Sequence, residues 1–377
     1  MAVNQVVING ETKLNLRQDT VTPETLLKGM TAHNAAGELI TGSMIASQLQ
    51  LVVTVPAGAT VIATNGSKTV SGTADSTGVC TLTVPETGMW SVYATLGGQT
   101  SDTKTVSIGY SYSLTLSFVS STLNNNDWAK IKSVSDAGQG ANYWSIGDRK
   151  EVTLNGTVGV LTLSNYTIYA FIIGFNHNQE LEGANRIHFQ LGKTALSGGT
   201  DVALCDSSYN SGGSSPAFRM NISNTNSGGW EDSVMRTAIC GTNLTSYAGT
   251  IIAVIPAALR AVLKSVTKYT NNTGKSSAAS AVTATTDYFF LLSEYEVFGT
   301  IDLGNPNEAS KQAQYSYYSS GNSKVKYNHN ETSTAVICWL RSPSASNSTN
   351  FVDVYADGTV YRAGANYSLG FAPGFCV

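Results

Sequence analysis

The chain has few charged residues and no cluster of basic ones. Charged side chains make up 12% of its 377 residues, the 22 lysines and arginines are spread along the whole length, and the net charge is −3. Proteins that grip DNA or RNA concentrate lysine and arginine on one face, because phosphate contacts supply most of the affinity. We therefore expect no nucleic-acid partner.

Long apolar segments are also lacking. The most apolar run, residues 251–263 (IIAVIPAALRAVL), is interrupted by Pro256 and Arg260 and is shorter than the roughly 20 residues that span a bilayer as a helix. The opening residues MAVNQ do not have the basic and then apolar pattern of a secretory signal peptide. We expect no membrane insertion. A role outside the cell would then require another exit route, such as assembly into a virion released by lysis.

Cysteine is scarce and widely spaced. The five residues, Cys80, Cys205, Cys240, Cys338 and Cys376, form no CxxC pair and are odd in number. Structural zinc sites and dense disulfide scaffolds need paired or closely spaced cysteines. We expect five buried free thiols, because unpaired cysteine usually behaves as a small core hydrophobe.

The signatures of common catalytic sites are missing as well. The sequence contains no HExxH, GxSxG, GxxxxGK[ST] or GxGxxG motif, although these arrangements support metal, nucleophilic and phosphate chemistry. His177, His188 and His329 are isolated in the sequence, and Glu294 and Glu296 are the nearest approach to a carboxylate pair. We expect these five residues to have framework roles. We expect no enzymatic activity, no cofactor and no bound metal.

The chain is rich in glycine, serine, threonine and asparagine instead of charged residues, and this composition favours strands and loops over helices. Residues 1–46 are too few to bury a core and are predicted to form a terminal module. Within it, residues 22–29 (TPETLLKG) have a threonine cap, a proline at the first helical position and a glycine stop, which predicts one or two helical turns. Residues 31–42 predict a turn and a short strand.

Two further domains follow from the pattern. Residues 47–110 alternate apolar and polar side chains in about six short strands, with Asn65 and Gly66 as a hairpin turn, and predict a β-sandwich that resembles immunoglobulin-like spacers in architecture. Residues 111–377 combine strands with two amphipathic helices, starting near Trp230 and Pro256, and a hairpin or loop over residues 270–286. The predicted class is therefore a multidomain α+β protein.

Two groups of motifs carry family resemblances. Residues 19–42, built around TPETLLKG, TAH and GELITG, resemble a segment of phage tail and baseplate proteins that serves as an attachment or trimerisation module. Five motifs in order resemble a C-type-lectin-like domain of phage tail and bacterial surface proteins: WSIGDRK (144–150), WEDSVMR (230–236), LLSEYEVFG (291–299), WLRSP (339–343) and GFAPGF (370–375). Some relatives in this group are variable proteins of diversity-generating retroelements. The second resemblance covers roughly residues 120–377.

The lectin-like resemblance implies that the C-terminal segment displays the residues that contact a ligand. The expected contacts are Ser344, Ser346, Asn347, Ser348, Asn350, Asp353, Tyr355, Asp357, Tyr361, Arg362, Asn366 and Tyr367. In retroelement-linked relatives, adenines of a template are mutated. The resemblance therefore raises the hypothesis that the C-terminal segment of this chain is diversified in the same way. The motifs of calcium-dependent sugar-binding lectins do not occur in order, which argues against calcium-mediated sugar binding.

The same segment has the composition of a binding surface regardless of the resemblance. Phe351, Val352 and Val354 can anchor a hairpin whose turn is Asp357-Gly358, with Asp353, Tyr355, Tyr361 and Arg362 pointing outward. Tyrosine, serine and asparagine are typical of antibody paratopes, although an ordinary solvated hairpin has similar residues. A second tyrosine-rich run, residues 315–327, could extend the surface or form a half-buried strand.

These features predict a phage tail receptor-binding protein located in the virion, at the tail tip or in a fibre. Its C-terminal surface would bind a host cell-surface protein or glycan. The chain would form a homotrimer, because tethered weak sites gain avidity, and its N-terminus would contact other tail or baseplate proteins. A bacterial surface adhesin and a glycan-processing enzyme are the alternatives.

Overall fold

The protein is a mixed α+β structure, mostly β-sheet. A computed structural model describes residues 3–44, 49–213 and 216–377, and the chain divides into two compact units, Met1–Val119 and Ser120–Val377. The multidomain α+β class expected from the sequence is therefore confirmed. None of the helices in the described ranges is both long and apolar enough to cross a membrane.

The first unit contains short antiparallel hairpins followed by a sandwich. Its described strands are β1 Gln5–Ile8, β2 Glu11–Asn15, β3 Thr31–His33, β4 Leu39–Thr41, β5 Gln50–Thr54, β6 Thr60–Thr64, β7 Thr69–Thr73, β8 Val79–Thr83, β9 Gly88–Leu96, β10 Gln99–Thr100, β11 Lys104–Ile108 and β12 Ser111–Thr115. The predicted N-terminal helix is one 3₁₀ turn, Pro23–Thr25, with the Thr22 cap in place. The predicted turn and strand of residues 31–42 form the β3–β4 hairpin.

Two sheets of the first unit enclose one apolar core. One has the order β12-β5-β8, and the other pairs β7, β6 and β9, with β10 and β11 both pairing β9. Leu51, Val61 and Trp90 are fully buried between them because the sequence alternates with a period of two. Strand β12 pairs in parallel with β5. The expected start of the third domain at residue 111 is therefore wrong: this strand belongs to the sandwich, through a pairing between distant segments that local pattern does not reveal.

The second unit is built around a five-stranded sheet of order β13-β14-β15-β25-β19. Three smaller sheets surround it, of order β16-β20-β21, β17-β18 and β22-β23-β24. The strands are β13 Arg149–Val158, β14 Leu161–Phe175, β15 Ile187–Lys193, β16 Val202–Ala203, β17 Val266–Asn271, β18 Val282–Asp287, β19 Phe289–Phe290, β20 Lys326–Asn328, β21 Glu331–Val336, β22 Cys338–Pro343, β23 Asn350–Val354, β24 Val360–Gly364 and β25 Gly374–Cys376. The α-helices are α1 Trp128–Asp136, α2 Gly140–Tyr143, α3 Gln179–Glu182, α4 Ile251–Val254, α5 Ala257–Arg260, α6 Glu294–Phe298 and α7 Ser316–Ser319.

The two predicted amphipathic helices of this unit are largely wrong. The segment after Trp230 forms turns and a short π-helix, Met235–Cys240, and the second segment forms the single turn α5 before Val266 begins strand β17. Arg260 at the end of α5 donates hydrogen bonds from its guanidinium to the carbonyls of Ile252, Ala253 and Ile255. These bonds satisfy carbonyls at the end of α4, which Pro256 separates from α5. The predicted hairpin over residues 270–286 is the turn between β17 and β18.

The cysteines confirm the expectation from their spacing. Cys80, Cys205, Cys240, Cys338 and Cys376 are all free and buried. Burial raises the pKa of each thiol above its usual value, so the thiols stay neutral. They act as small apolar side chains in the two cores.

The core of the sandwich makes a testable prediction about stability. Trp90 is fully buried, whereas its neighbour Met89 is 58% exposed. Replacing a buried tryptophan by alanine removes a large apolar side chain and leaves a cavity, so Trp90→Ala should lower the free energy of unfolding of this unit by about 3–5 kcal/mol. Met89→Ala is the matched control and should change it by less than about 0.5 kcal/mol. Hydrogen exchange of peptides from residues 49–115 measures both, and equal protection in the two variants would contradict the assigned core.

Candidate functional site

A buried ion pair lies under the C-terminal sheet of the second unit. Arg341 on β22 makes a bidentate contact with the carboxylate of Glu296 on α6, and neither residue is exposed. The remaining guanidinium donors reach the Thr270 hydroxyl at 2.7 Å and the Leu291 carbonyl at 2.8 Å. Each of the three guanidinium nitrogens therefore donates to a fixed partner, as buried charges require.

A lysine continues this network. The Nζ of Lys268 lies 2.7 Å from a carboxylate oxygen of Glu182, 2.9 Å from Glu296 and 2.8 Å from the Tyr315 hydroxyl. Burial alone would raise the pKa of Glu296, but Arg341 and Lys268 hold it well below its usual value. Burial raises the pKa of Glu182 to about 7, and Lys268 offsets only part of that effect. The network therefore has a firmly ionised centre.

The histidines lie beside this network or inside the neighbouring core. His177 stacks on Tyr315 with ring centroids 3.7 Å apart, and His188 Nδ1 lies 3.0 Å from the Tyr315 hydroxyl. His329 Nδ1 accepts a hydrogen bond from the Cys205 amide. Burial lowers the pKa of His177 to about 3 and of His329 to about 4, so both rings are neutral at physiological pH. These contacts are structural and agree with the expected framework roles.

One cluster in the described ranges resembles a metal site in composition. The ligand atoms of His177, Glu182 and Glu296 lie within 4.8 Å of one another. The ammonium of Lys268 is already bound to both carboxylates. Because lysine supplies the positive charge at this place, the cluster fits a structural salt bridge better than a cation site.

Glu294 and Glu308 fasten a loop to the same sheet. The carboxylate of Glu294 accepts hydrogen bonds from three consecutive backbone amides, residues 302–304, at 2.6–3.0 Å. Glu308 accepts a hydrogen bond from the hydroxyl of Ser342 on β22 at 2.7 Å. Glu294 and Glu296 thus serve different frameworks and do not form a carboxylate pair facing a cleft. The motifs LLSEYEVFG and WLRSP together build the foundation of the C-terminal hairpin.

The structure brings the expected contact residues together around the β23–β24 hairpin. Six are exposed: Ser346, Ser348, Tyr355, Asp357, Tyr361 and Tyr367. Four are half-buried: Asn347, Asn350, Arg362 and Asn366. Two are fully buried: Ser344 and Asp353. For ten of the twelve positions the structure leaves at least part of the residue accessible.

Ser344 and Asp353 do not point to solvent as the sequence predicted. Strand β23 lies between β22 and β24, and its consecutive residues 351–354 are all buried, so both of its faces are covered. Ser344 lies at the end of β22, where its hydroxyl accepts a hydrogen bond from Arg362. If one face of the hairpin were exposed to solvent, the alternation of side chains along β23 would expose Asp353. The sequence does not show that this strand is covered on both faces.

A buried asparagine fixes the loop between β22 and β23. The side-chain amide of Asn226 donates hydrogen bonds to the carbonyls of Ser344, Asn347 and Asn350 at 2.7–3.1 Å. Asn226 is 1% exposed and was not identified from the sequence, where it is one of many asparagines in a serine- and glycine-rich stretch. Its three bonds hold the loop in one shape and leave the side chains of Ser346 and Ser348 outside.

Tyrosines dominate the exposed part of the hairpin. Tyr355 and Tyr361 meet edge to face with ring centroids 5.4 Å apart, and Tyr355, Tyr361 and Tyr367 are 40%, 58% and 41% exposed. We call Tyr355, Tyr361 and Tyr367 the tyrosine surface. It offers rigid aromatic area with hydroxyls at the rim, a combination suited to recognition.

The second tyrosine-rich run does not extend this surface. Tyr315, Tyr317 and Tyr318 are buried, at the start of and within helix α7. Tyr327 on β20 is half-buried. The hydroxyl of Tyr318 donates to Gln190, and Tyr315 belongs to the Lys268 network. The interpretation as a binding surface is therefore wrong for these three residues.

Comparison with known proteins adds one finding. Residues 215–377 match a domain of unknown function, DUF6273. The DUF6273 match spans the Arg341 and Lys268 side of the network, the Asn226 loop and the tyrosine surface, but it brings no activity with it. A search of curated proteins found no match to the chain.

The buried ion pair makes a prediction about this part of the molecule. Arg341→Met should lower the free energy of unfolding of the second unit by about 3–5 kcal/mol, because it leaves Glu296 buried without its bidentate partner. Arg341→Lys keeps the positive charge but loses the planar guanidinium, so its free energy of unfolding should lie between those of the parent protein and Arg341→Met. Arg362→Met on the nearby surface is the control, with a change below about 1 kcal/mol. Urea unfolding followed by tryptophan fluorescence measures the series, and a fully stable Arg341→Met variant would show that the pair holds nothing in place.

Proposed function

We propose that the chain is a phage tail protein that binds a receptor on the host cell surface through the tyrosine surface of a C-type-lectin-like second unit. The observation that carries the proposal is the presentation of three exposed tyrosines on a hairpin whose base is fixed by Asn226 and by the Arg341–Glu296 pair. A rigid aromatic surface loses little entropy on binding, which favours affinity. The sandwich of the first unit would act as an immunoglobulin-like spacer.

The position of the contact residues also suits diversification by a retroelement. Ten of the twelve expected contacts are exposed or half-buried, so their side chains can change with small effects on packing. The backbone of the loop is held by Asn226, which is outside the segment of residues 344–367. Sequence change in the loop would therefore alter the surface while the framework stays the same.

The N-terminal module supports a trimeric assembly in the virion. Val7, Ile8, Leu14, Met30 and Leu39 are between 41% and 66% exposed, and Met44 is the one large apolar residue of the described residues 3–44 that is buried. Large apolar side chains left exposed throughout one module indicate that a partner covers part of them. We propose that copies of this module cover one another in a homotrimer that also attaches to other tail or baseplate proteins. Three receptor sites in one assembly would gain avidity, and the location of that assembly in the virion is part of the same proposal.

The receptor-binding role predicts a loss of cell binding when the tyrosine surface is removed. In a Tyr355→Ala/Tyr361→Ala variant we expect binding to host cells to fall at least about 30-fold, which corresponds to the roughly 2 kcal/mol expected for a central aromatic pair. Binding of fluorescently labelled protein to cells measures the effect. Tyr110→Ala/Tyr112→Ala is the matched control, because these tyrosines of the first unit are 60% and 40% exposed. Equal cell binding by both double variants would rule out the proposed surface.

The assembly proposal predicts that charge in the N-terminal module breaks the trimer. Ile8→Lys/Leu39→Lys places two charges on side chains that are 53% and 66% exposed but would be buried between copies, where an unpaired charge is costly. Light scattering at micromolar concentration should change from a trimer to a monomer. Met89→Lys, at an exposed apolar residue outside the module, should remain trimeric. A monomeric parent protein would overturn the assembly.

A further inference from the structure

Asp353 is a carboxylate that the fold leaves without any partner. It is fully buried in the middle of β23, and neither of its side-chain oxygens has a hydrogen-bond partner within the part of the chain that the structure describes. Buried acids are normally hydrogen-bonded or paired with a cation, because an isolated one costs several kcal/mol. The other buried acids discussed above, Glu182, Glu294, Glu296 and Glu308, all follow that rule. Asp353 is the exception among these acids, and a hydrogen-bond donor or cation from a ligand would satisfy it.

The position of Asp353 connects it to the tyrosine surface. Its backbone pairs with Trp339 on one side and Tyr361 on the other, and residues directly opposite in an antiparallel pair share a face, with Cβ atoms about 5 Å apart. Tyr361 is 58% exposed and stands at the edge strand of the sheet. An exposed edge tyrosine can change rotamer within nanoseconds. The acid therefore lies directly across the strand pair from the exposed Tyr361, whose ring contacts Tyr355.

The groups around Asp353 supply no positive charge. Tyr209 and Cys338 are the titratable groups whose pKa values respond to its charge; burial is the main cause that raises both to about 12, and Asp353 adds to it. Lys326, which lowers the pKa of Cys338, is paired with Asp201 and has no resolved effect on Asp353. Tyr361 faces it from β24. Burial is the single cause that raises the pKa of Asp353 itself to about 8. Arg362, the cation on the same hairpin, donates instead to the hydroxyls of Ser344 and Ser346.

We propose that the receptor is a protein that inserts a lysine or arginine side chain beside Tyr361 to pair with Asp353. This inference rests on the proposed function and names the chemistry of its ligand. Aromatic rings around a carboxylate bind organic cations well, because the ring faces attract the positive charge and the acid neutralises it. Bringing an arginine to Asp353 also satisfies the orphaned oxygens, so binding removes a cost that the free protein carries. A neutral glycan offers hydroxyl donors but no such charge.

The test uses small probes and isosteric variants of the full chain. Saturation-transfer NMR compares Nα-acetyl-arginine amide with Nα-acetyl-citrulline amide, which has the same shape but no charge. The parent protein should bind the arginine probe at least about tenfold more tightly. Asp353→Asn should lose this discrimination. Asp75→Asn is the matched control, because Asp75 is an exposed acid outside the proposed contact residues with its own partners, the amide and hydroxyl of Thr77, and it should keep the discrimination.

The dependence on pH gives a second readout. Only ionised Asp353 pairs with a cation, so affinity for the arginine probe should rise by up to about tenfold per pH unit between pH 6 and pH 8 in the parent protein. In Asp353→Asn the affinity should be flat over that range. Absence of discrimination in the parent protein, or discrimination that survives Asp353→Asn, would overturn the inference. The first of these outcomes is also the one expected if an internal water satisfies the acid.

Cell binding separates failure of this inference from failure of the proposed function. If Tyr355→Ala/Tyr361→Ala abolishes cell binding while Asp353→Asn binds cells as well as the parent, the tyrosine surface is the receptor site but the receptor does not pair a cation with Asp353. If the arginine probe binds through Asp353 but neither variant affects cell binding, the pairing of Asp353 with a cation is right and the receptor site is elsewhere. Loss of cell binding in both variants, with unchanged binding by Asp75→Asn, supports both.

Discussion

The second unit depends on the buried contact between Arg341 and Glu296. Lys268 and Thr270 from β17 and Glu182 from α3 join the same network, so one cluster ties two helices to strands of two different sheets. Such a network is costly to desolvate, and its stability depends on keeping all of these charged groups paired in one arrangement. This geometry fixes the direction in which β22 leaves the core. The position of the hairpin that follows β22 is therefore fixed as well.

The end of the chain supplies the other anchor of the hairpin. Strand β25 lies between β15 and β19 in the five-stranded sheet, and Phe375 stacks on Phe189 with Trp128 against its edge. The segment between β22 and β25 therefore leaves one fixed strand and returns to another. A loop held at both ends can carry different side chains without moving its base, which is the property that a recognition surface needs.

The sequence predicted elements whose determinants are local and missed those set by distant packing. Residues 47–110 form short alternating strands as predicted, and the hairpin turn at Asn65 forms as expected, because alternation and turn residues act within a few positions. The pairing of β12 with β5, the burial of Asp353 and the three bonds of Asn226 all depend on segments far apart in the chain. The order of the motifs predicted the position of the hairpin. Which of its residues reach solvent depends on β23, the middle strand of its sheet, because both faces of that strand are covered.

Asp353 shows why such a miss is informative. Local pattern, packing and polar satisfaction agree at nearly every position of the C-terminal sheet, where buried polar groups such as Ser342 and Arg341 have partners. At Asp353 they disagree, since an asparagine or a threonine could remove the charge at little cost in volume. Conflicts of this kind concentrate where a protein keeps a group for a partner that is absent from the free state. The unpaired acid is therefore better explained by what approaches the hairpin than by anything within it.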